Sequence, residues 1–314
     1  MTPSTVSHLL RFPAPVPARL KGGVVTLGNF DGIHLGHRHV IKALTEVGGA
    51  RPRVVVSFYP HPVRVLKGDT EPRALSSFRE KWEQLGDLGI ELLYGIHFTK
   101  KFSKVTAKEF IERVLVDALG ATMLVVGEDV AIGHNREGNL AYLQGVLPSY
   151  GIQLHVVPKL LEDGERPSSR SIRASLQSGD VRRAATLLGT PFTISARVGH
   201  GDKRGRQIGF PTANIMCGTR LLPKRGVYAC QVNIEGRDYE GVANIGLRPT
   251  FNGTGERLEV HILDQHFPSL YGRRLHVSFI DRLRDELKFN SVDDLKAQIA
   301  RDIDDATRRL RDER

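Results

Sequence analysis

The feature that most constrains this chain is a change of pattern near residue 185. Before it, short β-branched and aliphatic runs recur with helix-length spacers between them: "VVTLG" (24–28), "RVVVSF" (53–58), "ELLYGI" (91–96), "TMLVVG" (122–127) and "IQLHVV" (152–157). Near-continuous apolar runs of this length belong to strands covered on both faces. The spacer "AKEFIERVLVDAL" (107–119) sets Phe110, Val114 and Leu115 on one face at helical spacing. This alternation predicts an α/β, doubly wound, Rossmann-like domain whose ligand lies beyond the carboxyl ends of the strands. Two glycine-bearing segments fall at such ends: "GNFDGIHLGH" (28–37) after the first run and "GEDVAIGHNREG" (127–138) after the fourth.

After residue 185 helical periodicity disappears. "FTISARVG", "GVYACQVNI", "YEGVANIG", "LEVHILD" and "LHVSFI" read as antiparallel strands joined by turns, hence a small β-barrel or sandwich. A helix closes the chain, with Val292, Leu295, Ile299, Ile303, Ala306 and Leu310 as its apolar stripe. The expected organisation is therefore two domains, 1–185 and 186–314. A length of 314 residues agrees, being too long for one ordinary domain.

Composition removes several function classes. No apolar run approaches the ~18 residues that cross a bilayer. The segment "MTPSTVSHLLRFPAPVPARL" has no long apolar core and is broken by prolines, so no secretory leader is expected. Cys217 and Cys230 form no CxxC pair and read as reduced thiols of a cytoplasmic protein. The net charge of +10 suits anionic small substrates or RNA, but the basic residues are dispersed and no RNP motif, zinc finger or basic helix accompanies them. No nucleic-acid or membrane partner is expected. Nothing specifies an interface, so the chain is read as a monomer or transient homo-oligomer.

His34 and His37 carry the first chemical signal. As metal ligands they lack a third ligand at suitable spacing. As core residues they leave Gly28, Gly32 and Gly36 without purpose, although these let a backbone approach a ligand closely. Phosphate handling uses every part of the segment. A glycine-rich turn leads from strand to helix, the helix N-terminus presents free N–H groups, and two imidazoles one turn apart face the same side. Such a constellation stabilises charge that builds during attack at an α-phosphate, which is nucleotidyl transfer with pyrophosphate leaving. The GxxxxGK[ST] loop is absent.

"GNFDGIHLGH" resembles the HxGH signature of the nucleotidyltransferase superfamily, in the form found in bacterial bifunctional riboflavin kinase/FAD synthetases. "SFYPHP" (57–62), "VVGEDVAIGHNREGN" (125–139) and "SSRSIRASLQSGDVRRAATLLG" (168–189) resemble further segments of that family in the same order, and the likeness runs from about residue 22 to about residue 305. The resemblance implies that Gly28, Asn29, Phe30, Asp31 and Gly36 form the nucleotide loop, with His34 and His37 catalytic. It implies that Ser168, Ser169 and Arg173 hold the β- and γ-phosphates. Asp129 would contact the flavin nucleotide or order its loop. His61 would contact substrate or serve a structural PHP turn, and Asp31 would cap a turn or touch the ligand. The chain departs from the family at Val130 and Ile132, where aromatics are usual, and at Arg170, where Thr or Ser is usual.

"GHGDKRGRQIGFPTAN" (199–214) opens the second half. Gly201, Gly205 and Gly209 recur every four residues, with Lys203, Arg204 and Arg206 between them, as in a loop that wraps phosphates or in plain strand turns. Thr212 and Asn214 are oxygen-bearing side chains two apart, suited to Mg²⁺. The full string resembles the riboflavin kinase signature. The resemblance implies that Glu259 is the base, that Thr212 and Asn214 hold the metal, and that Asn244, Arg248 and Arg284 lie near the flavin. Without it, Glu259 is a solvated strand residue and Arg284 a surface ion-pair residue. The implied activity is phosphorylation of riboflavin by Mg·ATP to FMN, then adenylylation of FMN to FAD. Two alternatives remain: a riboflavin kinase with an inactive or altered nucleotidyltransferase half, and a flavin- or RNA-binding regulatory protein.

Overall fold

A computed structural model describes residues 7–68, 73–162, 164–200, 208–250, 253–265, 267 and 269–312, without the side chains of 248–250 and 253–255. The chain divides into two compact units, Met1–Ser168 and Ser169–Arg314.

The first unit runs β1 (His8–Arg11), β2 (Val24–Leu27), α1 (Leu35–Gly48), β3 (Arg53–Tyr59), α2 (Pro62–Lys67), α3 (Phe78–Asp87) and β4 (Leu92–His97). It continues with α4 (Ala107–Phe110), which passes into a π-helix (Ile111–Ala118), then β5 (Met123–Gly127), the two short strands β6 (Ala131–Ile132) and β7 (Gly138–Asn139), α5 (Leu140–Val146) and β8 (Gln153–Val157). Six strands form one sheet in the order β1-β4-β3-β2-β5-β8. Every pairing in it is parallel.

Both faces are covered, as the continuous apolar runs require. Val25, Val54, Val56, Leu92 and Tyr94 meet Phe110, Ile111, Val114, Leu115 and Leu143 on one side. Val24, Val55, Leu93 and Val125 meet Ile41, Leu44 and Leu85 on the other. Alternate residues of β3 thus feed opposite layers, the period-two signature of a strand. The helix expected over 107–119 is α-helical for one turn and then widens. Its wider turns keep Ile111, Val114 and Leu115 all buried against the sheet. One strand escaped the sequence pattern: β1, four residues before the prolines, pairs in parallel with β4. The run at 24–28 is therefore the second strand in the chain, and the run at 122–127 the fifth.

This order fixes the ligand position. From β2 the chain winds one way through β3 and β4, then returns to lay β5 on the other side of β2. The crevice between the carboxyl ends of β2 and β5 is the topological switch point, where such sheets bind ligands. The two glycine-bearing segments leave those two strand ends.

The second unit begins with α6 (Ser169–Ser178) and α7 (Val181–Leu188). Then follow β9 (Phe192–Gly199), β10 (Ala213–Ile215), β11 (Gly226–Ile234), β12 (Arg237–Thr250), β13 (Gly253–Ile262), β14 (Arg274–Arg284) and α8 (Val292–Asp312). The strands close into a barrel in the order β10-β13-β12-β11-β14-β9. Each pairing is antiparallel. Helix α8 packs Ala306 and Leu310 on Ala229 of β11. The predicted apolar stripe of α8 is only partly used: Val292 is 56% exposed, whereas Asp302 is buried. The carboxylate of Asp302 takes that place because Arg284 meets it bidentately, Nε to Oδ1 at 2.8 Å and Nη2 to Oδ2 at 2.6 Å.

Candidate active sites

In the first unit the switch point opens into a cavity of about 660 Å³. Gly28, Asn29, Phe30, His34, Gly36 and His37 line one wall. His34 is the N-cap of α1, its Nδ1 accepting the His37 N–H at 3.3 Å. An accepting Nδ1 carries no proton, so the proton sits on Nε2, which is left to donate. The two imidazoles stack, with centroids 3.7 Å apart and planes 22° off parallel. The Phe30 ring tilts against His37 at 4.9 Å. Gly36 has a steric purpose: a Cβ there would stand 3.2 Å from the His34 ring and 3.4 Å from Pro167 O.

Both histidines are neutral near pH 7. Burial, then the Arg166 charge, pulls His34 down to about 4 against the opposing pull of Asp31. Burial, then His34, Lys81 and Arg166, holds His37 well below the usual histidine value. They are therefore donors of N–H rather than cations. His37 Nδ1 is buried with no hydrogen-bond partner among the described residues.

The loop between β2 and α1 is strained. Phe30 and Ile33 have φ of 46° and 40°, a region that disfavours side chains and β-branched ones most. Anchors from α3 and the segment before it hold the loop. The Asp31 carboxylate accepts the N–H groups of Leu75 (3.0 Å) and Ser76 (3.1 Å), and Gly32 N–H donates to Ser76 Oγ at 3.3 Å. Asp31 is thus a buried loop clamp and is not among the residues lining the cavity. His61 caps α2, its Nδ1 accepting the Val63 N–H at 3.3 Å, and does not line the cavity either.

Asp129, Arg166, Lys159 and Ser168 also line the cavity. The Asp129 carboxylate pairs with Lys159 Nζ at 3.1 Å and with Arg166, which together lower it from the ordinary aspartate value. Val130 and Ile132 line the same cavity, whose apolar side carries Phe58, Phe98, Phe102 and Phe110. The aromatic character missing at 130 and 132 is thus present on neighbouring elements. Ser169, Arg170 and Arg173 lie on α6, where Arg173 Nη1 donates to Ser169 O at 3.1 Å.

In the second unit β10, β13 and β12 bring three polar side chains into one row. Asn214 stands opposite Glu259, and Glu259 opposite Asn244. Directly opposed residues point to the same face, with Cβ atoms about 5 Å apart. Their strand neighbours Ala213, Ile215, Leu258, Val260, Ala243 and Ile245 are buried in the barrel, so the row faces outward. Asn214 Oδ1 is buried and has no hydrogen-bond partner among the described residues. Glu259 Oε2 lies 3.0 Å from Arg257 Nη2. Thr212 is exposed and precedes β10. Gly246 admits Glu286 to this part of the sheet, since a Cβ there would fall 2.5 Å from Glu286 Oε1.

Gly209 lies just before β10; Gly201, Lys203, Gly205 and Arg206 fall outside the described residues, as does the side chain of Arg248. Arg284, assigned by resemblance to the flavin end, has its guanidinium committed to Asp302 and, through Nη1, to Asp285 O at 2.8 Å. That is an ion pair, but with a buried partner rather than at the surface.

Sequence reasoning passed over Lys81, Ser57, Lys159 and Arg166. Lys81 sits in a run, "FREKWEQL", that reads as an amphipathic helix with solvated charges. No spacing rule announces that this lysine is buried.

Comparison with known proteins matches the two halves of the chain to two different families of domain. The family model described as FAD synthetase matches residues 16–171, and that described as riboflavin kinase matches residues 188–310. Bifunctional riboflavin kinase/FMN adenylyltransferase of Escherichia coli (strain K12) is 42% identical over 285 residues, 90% of this chain and 91% of that protein. The proteins so named from Haemophilus influenzae and Bacillus subtilis are 39% and 37% identical, over 91% of this chain and 94% and 92% of theirs. A crystal structure described as a macrolide-efflux protein from Streptococcus pneumoniae superposes with a TM-score of 0.83 at 31% identity, covering 94% of this chain and 97% of that one. Among the described residues no helix is long and apolar enough to cross a membrane.

Proposed function

The chain belongs to the bifunctional riboflavin kinase/FMN adenylyltransferase family, and we infer from that membership that its two halves work at separate sites. The barrel half phosphorylates riboflavin with ATP to FMN. The α/β half transfers AMP from a second ATP to FMN, giving FAD and pyrophosphate. The observation that carries the second assignment is the stacked, uncharged histidine pair at the N-terminus of α1, set at the switch point of the sheet.

In adenylyl transfer a phosphate oxygen of FMN attacks the α-phosphorus of ATP, and pyrophosphate leaves. The nucleophile is already anionic, so no base is needed, and an imidazole lowered to about 4 would be a poor one. The task is to hold charge. His34 Nε2–H, His37 and the free N–H groups of α1 are fixed donors for the oxygens of the α-phosphate and the departing pyrophosphate. Arg166 and Lys159 add positive charge to the cavity lining. Positioning and electrostatics supply the rate.

In the kinase half Glu259 takes the proton of the ribityl 5′-hydroxyl as that oxygen attacks the γ-phosphorus. The unpaired Oδ1 of Asn214, beside Thr212, gives an oxygen donor set of the kind Mg²⁺ prefers. When bound, the ion would offset charge on the phosphates. Asn244 flanks Glu259 in the same row and belongs to the substrate side. We place the enzyme in the cytoplasm, where the free thiols of Cys217 and Cys230 would stay reduced.

Incubation with riboflavin, ATP and Mg²⁺, followed by chromatography of the flavins, gives FMN and then FAD. His34→Ala with His37→Ala abolishes FAD formation and spares FMN formation, whereas Glu259→Ala stops riboflavin phosphorylation while supplied FMN is still adenylylated. A folded variant of either kind that lost both activities would sink the two-site assignment. FMN without FAD from the unaltered chain would leave a kinase alone.

A further inference from the structure

We propose that Lys81 is a positioning residue of the adenylyl-transfer site, its ammonium seated beneath the β2–α1 loop to fix the backbone that presents the two histidines. This rests on the assignment of that site to FMN adenylylation.

Lys81 is 6% exposed, on the first turns of α3. Its Nζ donates to Asn29 O at 2.5 Å and to Ser57 Oγ at 3.0 Å, and stands 5.5 Å over the Phe78 ring. Ser57 Oγ itself donates to Asn29 O at 3.1 Å, so one carbonyl of the loop is gripped from β3 and from α3 together. That carbonyl precedes Phe30, the first strained residue of the loop, and Phe30 packs on His37. The chain of contacts therefore runs from Lys81 through Asn29 and Phe30 to a catalytic imidazole, and Lys81 lines no part of the cavity itself.

Burying an ammonium is costly. Desolvation lowers Lys81 to about 8, and Asp31 is the nearby charge that opposes this. A residue kept only for packing would be cheaper as Met or Leu. The charge also acts on function, since Lys81 joins His34 and Arg166 in holding His37 neutral. Asp31, which faces both His34 and Lys81, pulls in the opposite direction.

The test uses the full chain with Lys81→Met, assayed for adenylylation of supplied FMN and, separately, for riboflavin phosphorylation. We expect kcat for FAD formation to fall by about tenfold or more, towards the roughly hundredfold cost of an ångström-scale misplacement. KM for ATP and FMN changes little, FMN formation is unchanged, and the thermal midpoint does not fall. The acid limb of the kcat profile moves to higher pH, because removing a cation raises His37; Lys81→Arg leaves that limb where it was. Ser57→Ala, which takes away one partner of the ammonium and keeps the lysine, lowers kcat in the same direction by less. Unchanged kcat in Lys81→Met, or a loss that tracks a lowered thermal midpoint with the acid limb unmoved, overturns the proposal. If Lys81→Met fails to fold, Ser57→Ala decides: unchanged kcat there overturns it as well. Failure of the unaltered chain to adenylylate FMN would instead overturn the underlying assignment, which keeps the two failures distinct.

Discussion

Replacing Asp302 should unfasten α8 from the barrel and separate the two roles open to Arg284. Asp302 is 6% exposed and receives three hydrogen bonds: Arg284 Nε at 2.8 Å, Arg284 Nη2 at 2.6 Å and Gln298 Nε2 at 2.9 Å. Removing one partner of a buried pair leaves the other charge uncompensated, at a cost of about 3–5 kcal/mol. For a unit of this size that corresponds to roughly 10 °C in the unfolding midpoint. Asp302→Ala is therefore expected to lower barrel stability by that amount, with hydrogen exchange along α8 rising first. The only tryptophan, Trp82, lies on α3 of the first unit, so its fluorescence follows the wrong half. Exchange of α8 amides by mass spectrometry is the suitable assay. The companion variant Arg284→Met with Asp302→Leu removes both charges and should recover most of the loss. If the double variant is stable and still phosphorylates riboflavin, Arg284 is structural. A stable double variant without kinase activity would refute that reasoning and return Arg284 to the flavin.

Two further outcomes follow from the histidine pair. His34 titrates at about 4 in the folded chain and near 6.5 unfolded, so the unfolded state binds the extra proton between those values. Its contribution is intact above about pH 6.5 and is lost as pH falls through that window, amounting to roughly 3 kcal/mol; denaturant titrations at pH 7 and pH 4 followed by Trp82 fluorescence measure it, and equal stabilities would contradict the buried neutral imidazole. Gly36→Ala inserts a methyl 3.2 Å from the His34 ring, and is expected to lower FAD formation several-fold by turning that ring, with FMN formation unaffected; an unchanged rate would mean the ring position is not critical.

The sequence made the architecture legible where periodicity is strong. The valine runs of β2 and β3 serve both sheet faces, so their lack of alternation already signalled helices on two sides. Strand β1 was not legible, because four residues ahead of a proline cluster carry too little pattern and gain their partner, β4, some 80 residues later. The π-helical widening was likewise hidden, since Phe110, Val114 and Leu115 satisfy an ordinary helical period.

The site was legible only in part, for a physical reason. His34, Gly36 and His37 announce themselves because one local segment supplies strand end, turn and helix start. The same segment, however, places Phe30 and Ile33 in a conformation costing of order 1–3 kcal/mol each. That strain persists only if something outside the segment over-determines it. The restraints come from Ser57, Leu75, Ser76 and Lys81, between 28 and 52 positions away in the chain, and two of them act through backbone N–H groups that no residue type reveals. Asp31 shows the consequence. By resemblance it belongs to the nucleotide loop, and by position it could equally face a ligand or a turn. Its carboxylate turns inward to bind that distant backbone, which is the capping alternative, made to a segment more than forty positions away rather than within its own turn.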